Sequence, residues 1–66
     1  MRFRDAKKLH NEDEVTIKAT GEVTRVLSTR VMLKTFREYG LKRPTVFIEV
    51  AANSTGWYEL MHTEVR

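Results

Sequence analysis

Two glutamates, Glu49 and Glu59, constrain this chain more than any other residues. They interrupt its two most apolar stretches, residues 45–51 (Thr-Val-Phe-Ile-Glu-Val-Ala) and 57–62 (Trp-Tyr-Glu-Leu-Met-His). Both stretches alternate with a period of two and are rich in β-branched and aromatic residues, the pattern of a strand. Pro44 precedes the first, where its missing N–H matters least. Residues 52–56, Ala-Asn-Ser-Thr-Gly, have the composition of a turn. The two strands therefore form a hairpin, and one of its two faces must point inward. One choice buries Val46, Ile48 and Val50 with Tyr58 and Leu60. The other buries Phe47, Ala51, Trp57 and Met61, but takes Glu49 and Glu59 inside with them. An unpaired buried carboxylate costs several kcal/mol, so the aliphatic face goes inward. Phe47, Trp57 and Met61 then share the outer face with two carboxylates. That half-apolar stripe must meet a partner or be covered by another part of the chain.

The chain has 66 residues and no cysteine. That length makes one small domain, which buries roughly 60% of its unfolded surface. Without thiols there is no disulfide framework and no thiolate zinc site. A long multi-element enzyme cleft is excluded by size. No apolar run approaches the roughly 20 residues of a membrane helix, and the charged start (Met-Arg-Phe-Arg-Asp-Ala-Lys-Lys) lacks the apolar core of a signal peptide. A cytoplasmic location is the expectation.

Residues 1–12 read as a charged lead-in with one helical turn over Arg4–Leu9. Asn11, Glu12 and Asp13 are turn residues. Residues 14–20 alternate Val15, Ile17 and Ala19 with Thr16, Lys18 and Thr20, predicting a half-buried strand that Gly21 ends. Over residues 22–28, Val23 and Val26 miss strict alternation by one place, which predicts a second strand with a bulge. Ser28–Arg43 admits two readings. As a helix over 29–39 it places Met32, Phe36 and Tyr39 on one side, with Arg30, Lys34, Arg37 and Glu38 opposite, between a Ser28 or Thr29 cap and Gly40. As a strand it alternates Val31, Leu33 and Thr35 with Met32, Lys34 and Phe36. Extended structure is preferred, with a short helix at 29–39 as the alternative.

Residues 13–26 (Asp-Glu-Val-Thr-Ile-Lys-Ala-Thr-Gly-Glu-Val-Thr-Arg-Val) resemble the opening of SH3-like small barrels, especially KOW-like ones. The hairpin from Val46 to Val65, with its Trp57-Tyr58 pair, is similar to the later strands of such barrels. The resemblance implies an all-β, SH3-like barrel of about five strands spanning residues 1–66 as one domain. KOW motifs carry another glycine a few residues after the first. Val23, Thr24 and Arg25 stand there instead, so ribosomal or transcription-factor RNA binding is not carried over. In size and type the chain is also similar to the small SH3-like proteins of prophages and conjugative elements.

Charge is unevenly spread. Residues 18–43 hold seven basic side chains against Glu22 and Glu38, a local charge of +5 within a net +3. Nucleic-acid binding by small barrels combines cations for phosphate with aromatics for stacking. The candidate residues are Arg25, Arg30, Lys34, Arg37, Tyr39, Lys42 and Arg43, with Phe36 and Trp57 as further stacking candidates. The alternative is a protein interface or self-association through Phe47, Trp57 and Met61. Catalysis has no support. There is no nucleophile elbow and no phosphate-cradling glycine loop, and Glu12-Asp13-Glu14 reads as a solvated run. His10 and His62 make at most half a metal site, needing Glu12 or Glu64 to extend it. His10 is expected at a turn and His62 exposed at a strand end. The sequence thus predicts a non-enzymatic module without metal or cofactor. Its partner is a nucleic acid, an acidic protein surface or a second copy of itself.

Overall fold

The computed structural model describes residues 1–33, 43–52 and 56–66. The chain forms a short helix α1 (Phe3–Ala6), then strands β1 (Glu14–Thr16), β2 (Val23–Met32), β3 (Thr45–Ala52) and β4 (Gly56–Met61), and ends in a 3-10 turn over His62–Glu64. The four strands lie in one antiparallel sheet in the order β1-β2-β3-β4. The all-β class expected from the sequence is the class observed. The helical turn of the lead-in starts one residue earlier than Arg4 and stops at Ala6, which packs fully buried in the core.

The last hairpin turns its aliphatic side inward, as the parity of Glu49 and Glu59 predicts. Val46, Ile48 and Val50 are fully buried, and Tyr58 and Leu60 pack against them. Phe47 and Met61 are half-buried on the other face, and Trp57 remains 56% exposed there. Val15, Ile17, Val26 and Val65 complete the interior with Ala6. Met1, Phe3 and Leu9 from the lead-in close one side of it.

Strand β1 is shorter than the alternation of residues 14–20 predicts, because the chain turns at Ile17. The Ile17 N–H donates to Glu22 O at 2.8 Å, and the Gly21 N–H donates to Ile17 O at 2.8 Å. Gly21 takes φ +74° there, a conformation glycine adopts without strain. Ala19 is consequently exposed rather than inward. The bulge expected in β2 is present one residue later than the alternation marks it. Val26 pairs with Val50 but Ser28 pairs with Glu49, so Leu27 is the extra residue. Ahead of the bulge β2 alternates regularly, with Val23 exposed and Thr24 and Val26 buried, and the Thr24 hydroxyl donates to Ala51 O at 2.6 Å.

The helical alternative for residues 29–39 is corrected over its first turn. Thr29, Arg30, Val31 and Met32 are strand residues, opposite Ile48, Phe47, Val46 and Thr45. Ladder pairing with β3 outweighs the helical arc of the sequence. Residues 34–39 lie outside the described residues.

The C-terminal residues return to β1. Ile17 and Val65 form an isolated antiparallel bridge. Thr16 and Arg66 exchange N–H···O bonds of 3.0 and 2.9 Å, and the Lys18 N–H donates to Glu64 O at 2.9 Å. The Met1 amino group donates to Val65 O. Among the described residues no helix is long and apolar enough to cross a membrane.

Candidate functional site

The outer face of β2, β3 and β4 brings together the polar and aromatic side chains that the core leaves out. Arg30, Phe47 and Met61 stand side by side across the three strands. One step along, Ser28, Glu49 and Glu59 form the next row, and beyond it Ala51 stands opposite Trp57.

Two carboxylates directly opposite each other in adjacent strands repel. Each has its own partner. The Ser28 hydroxyl donates to Glu49 Oε2 at 2.9 Å, and the Arg30 guanidinium lies 3.4 Å from Glu59 Oε1. The same guanidinium sits over the Phe47 ring, 5.1 Å from its centroid. Arg30 therefore neutralises one carboxylate and shields one aromatic face at once. Arg30, Met32, Phe47 and Glu59 line a shallow pocket of about 90 Å³.

A larger open cleft of about 350 Å³ lies between the turn at Ile17–Ala19 and the C-terminal 3-10 turn, lined also by Leu60, Thr63 and Glu64. Among the described residues Lys18 is its only cation and Glu64 its only carboxylate. The Glu64 side chain accepts the Met61 N–H at 2.8 Å, so it is engaged in ending β4.

The histidines separate. His10 is exposed beside Asp13, whose carboxylate accepts the His10 N–H at 2.8 Å. His62 is corrected from exposed to buried, with 8% of its surface reached by solvent. Its ring meets Phe3 edge to face at 5.8 Å, and its Nδ1 accepts the Val46 N–H at 3.2 Å. Burial, with the neighbouring Met1 amino group, holds its pKa below the ordinary 6.5. The hairpin parity that sends Tyr58 and Leu60 inward also sends residue 62 inward, and that was the available signal. Among the described residues no three His, Asp or Glu side chains gather as a metal site.

Of the predicted nucleic-acid residues, Arg25, Arg30 and Arg43 are described. Arg25 is exposed and lies 3.8 Å from Glu12. Arg30 is on the outer face, and Arg43 is exposed just before β3. Lys34, Arg37, Tyr39 and Lys42 lie outside the described residues, as does Phe36. Met32 and Thr45 are paired, so both ends of the basic 33–44 stretch leave from one end of the sheet. Searches among protein-family models, curated proteins and solved structures found nothing that matches this chain.

Proposed function

We propose that this chain is a small SH3-like barrel acting as a non-enzymatic binding module, of the kind found in prophages and conjugative elements, and that it binds nucleic acid through its basic middle segment. The barrel reading is supported by the path of the chain. Four antiparallel strands are followed by a 3-10 turn and a tail hydrogen-bonded to β1 through Thr16 and Arg66. The binding reading rests on one observation. Between the paired residues Met32 and Thr45 the sequence holds Lys34, Arg37, Lys42 and Arg43 against Glu38 alone. Four cations in so short a stretch of sequence favour phosphate, and its two flanking residues, Met32 and Thr45, are paired at one end of the sheet.

The test is binding of mixed DNA and RNA at low and moderate salt. Affinity should fall as salt rises. The triple variant Arg37→Ala, Lys42→Ala, Arg43→Ala should flatten that dependence by about two to three units of log–log slope. Salt-insensitive binding, or none, rejects the reading.

A second reading is supported by the row of Arg30, Phe47 and Met61 with the exposed Trp57 beyond it: a protein interface, including self-association. Phe47→Ser and the parent protein compared by sedimentation test it. A parent that sediments as a monomer at all concentrations removes the homo-oligomer.

A further inference from the structure

We infer that the free edge of β4 accepts an extended segment of another protein, which joins the sheet antiparallel at Glu59 with a lysine or arginine on the outer face and an aliphatic side chain in the cleft beside Leu60. This goes beyond the nucleic-acid reading and does not depend on it. The chain treats the two edges of its sheet differently. Beyond β1 the tail continues the ladder, through the Thr16–Arg66 bonds and the Ile17–Val65 bridge. On the other side β4 is the last strand, and among the described residues none pairs with its outer side. Such an edge offers main-chain donors and acceptors to an extended chain of matching register.

The hydrogen bonds fix that register. Main-chain groups along an antiparallel strand point alternately to one neighbour and to the other. The Val46 N–H faces the β4 side, where His62 Nδ1 accepts it. Ile48 and Val50 keep step with Val46, so they bond with their partners Leu60 and Tyr58. Glu59 is out of step, and its N–H and C=O both face the open edge. The Met61 N–H faces the same way but is already taken by Glu64 Oε2, which closes the edge beyond Leu60. Glu59 is therefore where an incoming residue exchanges a pair of bonds, and that residue's side chain stands beside Glu59 on the outer face. Glu49 and Glu59 are side by side there, with Arg30 paired to Glu59 and Ser28 to Glu49. Two carboxylates against one guanidinium leave a negative charge that a cation next to Glu59 complements. The residues before and after that cation fall on the inner side. The one opposite Leu60 meets the open cleft of about 350 Å³ that Leu60 lines with Ile17 and Ala19. Lys18 on the same cleft repels a cation placed inside it. The order selected is aliphatic, basic, aliphatic.

The test uses the intact protein and blocked peptides with a central lysine or glutamate flanked on each side by valine and then threonine. Binding is followed by NMR, and the exchange of the Glu59 amide hydrogen with solvent is read with and without peptide. The lysine peptide should slow that exchange by about ten-fold or more, because the amide gains a ladder bond. The glutamate peptide should bind about three- to ten-fold more weakly, and Glu59→Lys should reverse the order of the two. Methylating the main-chain nitrogen of the central lysine removes the donor to Glu59 O and should cost about ten-fold in affinity. Ala19 is exposed on the cleft, so Ala19→Phe should fill the cleft and abolish binding while its melting temperature stays near that of the parent. Absence of peptide binding at millimolar concentration overturns the inference. Equal affinity of the lysine and glutamate peptides, or binding without slower exchange at Glu59, overturns it as well. Protection of the Glu59 amide that rises with protein concentration alone would assign the edge to a second copy of the chain and overturn the assignment to another protein.

Discussion

The imidazole of His62 takes the place of a backbone carbonyl opposite Val46. Phe47 pairs with Met61 and Ile48 with Leu60, so continuing the ladder by one step sets residue 62 against residue 46. The chain turns into a 3-10 helix there, and the Val46 N–H loses its strand partner. His62 Nδ1 fills the gap at 3.2 Å. That bond requires Nδ1 to be unprotonated, which ties the end of the sheet to pH.

His62 is held neutral in the fold, with its pKa below 6.5 because it is buried and faces the Met1 amino group. In the unfolded chain it takes up a proton at its ordinary value. The contribution of the neutral imidazole is therefore complete above pH 6.5. It is lost as pH falls from there through the lowered folded value, with a slope of up to about 1.4 kcal/mol per pH unit. Urea melts between pH 7.5 and 5.5 should show this decline, and His62→Gln should lack it. His62→Leu should lose about 1–3 kcal/mol at pH 7.5, because the buried Val46 N–H is left without an acceptor.

Two positions of positive φ should respond in opposite directions. Gly21 has φ +74°, and nothing lies within 4 Å of the place a Cβ would occupy. Gly21→Ala should therefore cost only the backbone strain, about 1 kcal/mol. Glu12 is the reverse case, a non-glycine at φ 79°. Its ion pair with Arg25 is exposed and worth little. Glu12→Gly should stabilise by about 1 kcal/mol, read as a higher melting temperature; an unchanged or lower one refutes the strain argument.

Ile48 is among the largest fully buried side chains and sits in β3, between β2 and β4. Ile48→Ala should destabilise by about 2–5 kcal/mol. In a domain this small that is a large share of the total. Circular dichroism should show a protein largely unfolded at moderate temperature, whereas Thr29→Ala, on the exposed opposite residue of β2, should change little.

Arg30→Ala should leave Glu59 facing Glu49 without its counter-ion and uncover Phe47. Loss of the exposed ion pair and of the cation–π contact should sum to about 1 kcal/mol. The deficit should shrink at 1 M salt, where exposed charges are screened. A salt-independent deficit would mean that packing on Phe47, rather than charge, is what Arg30 supplies.

The face of the last hairpin was legible from the sequence because burial of a lone carboxylate is costly. Glu49 and Glu59 occupy one parity, so the other parity had to be the core. The turn at Gly21 was legible for a local reason, a missing Cβ; a bulge in β2 was expected from the slip between Val23 and Val26, but that slip only reflects an exposed Val23. The bulge itself was not legible, because Leu27 becomes the extra residue only once Val26 is fixed against Val50.

What the sequence by itself determined is therefore an all-β chain with aliphatics inside and an aromatic, carboxylate-bearing outer face. That follows from period-two alternation and the cost of buried charge, which are properties of neighbouring residues. Only the tertiary structure decided that His62 closes the sheet against Val46, that Arg30 stands between Phe47 and Glu59, and that the tail at Arg66 returns to Thr16. Those contacts join residues 16, 17, 29 and 50 positions apart, and such pairings depend on strand register, which no local stretch of sequence encodes.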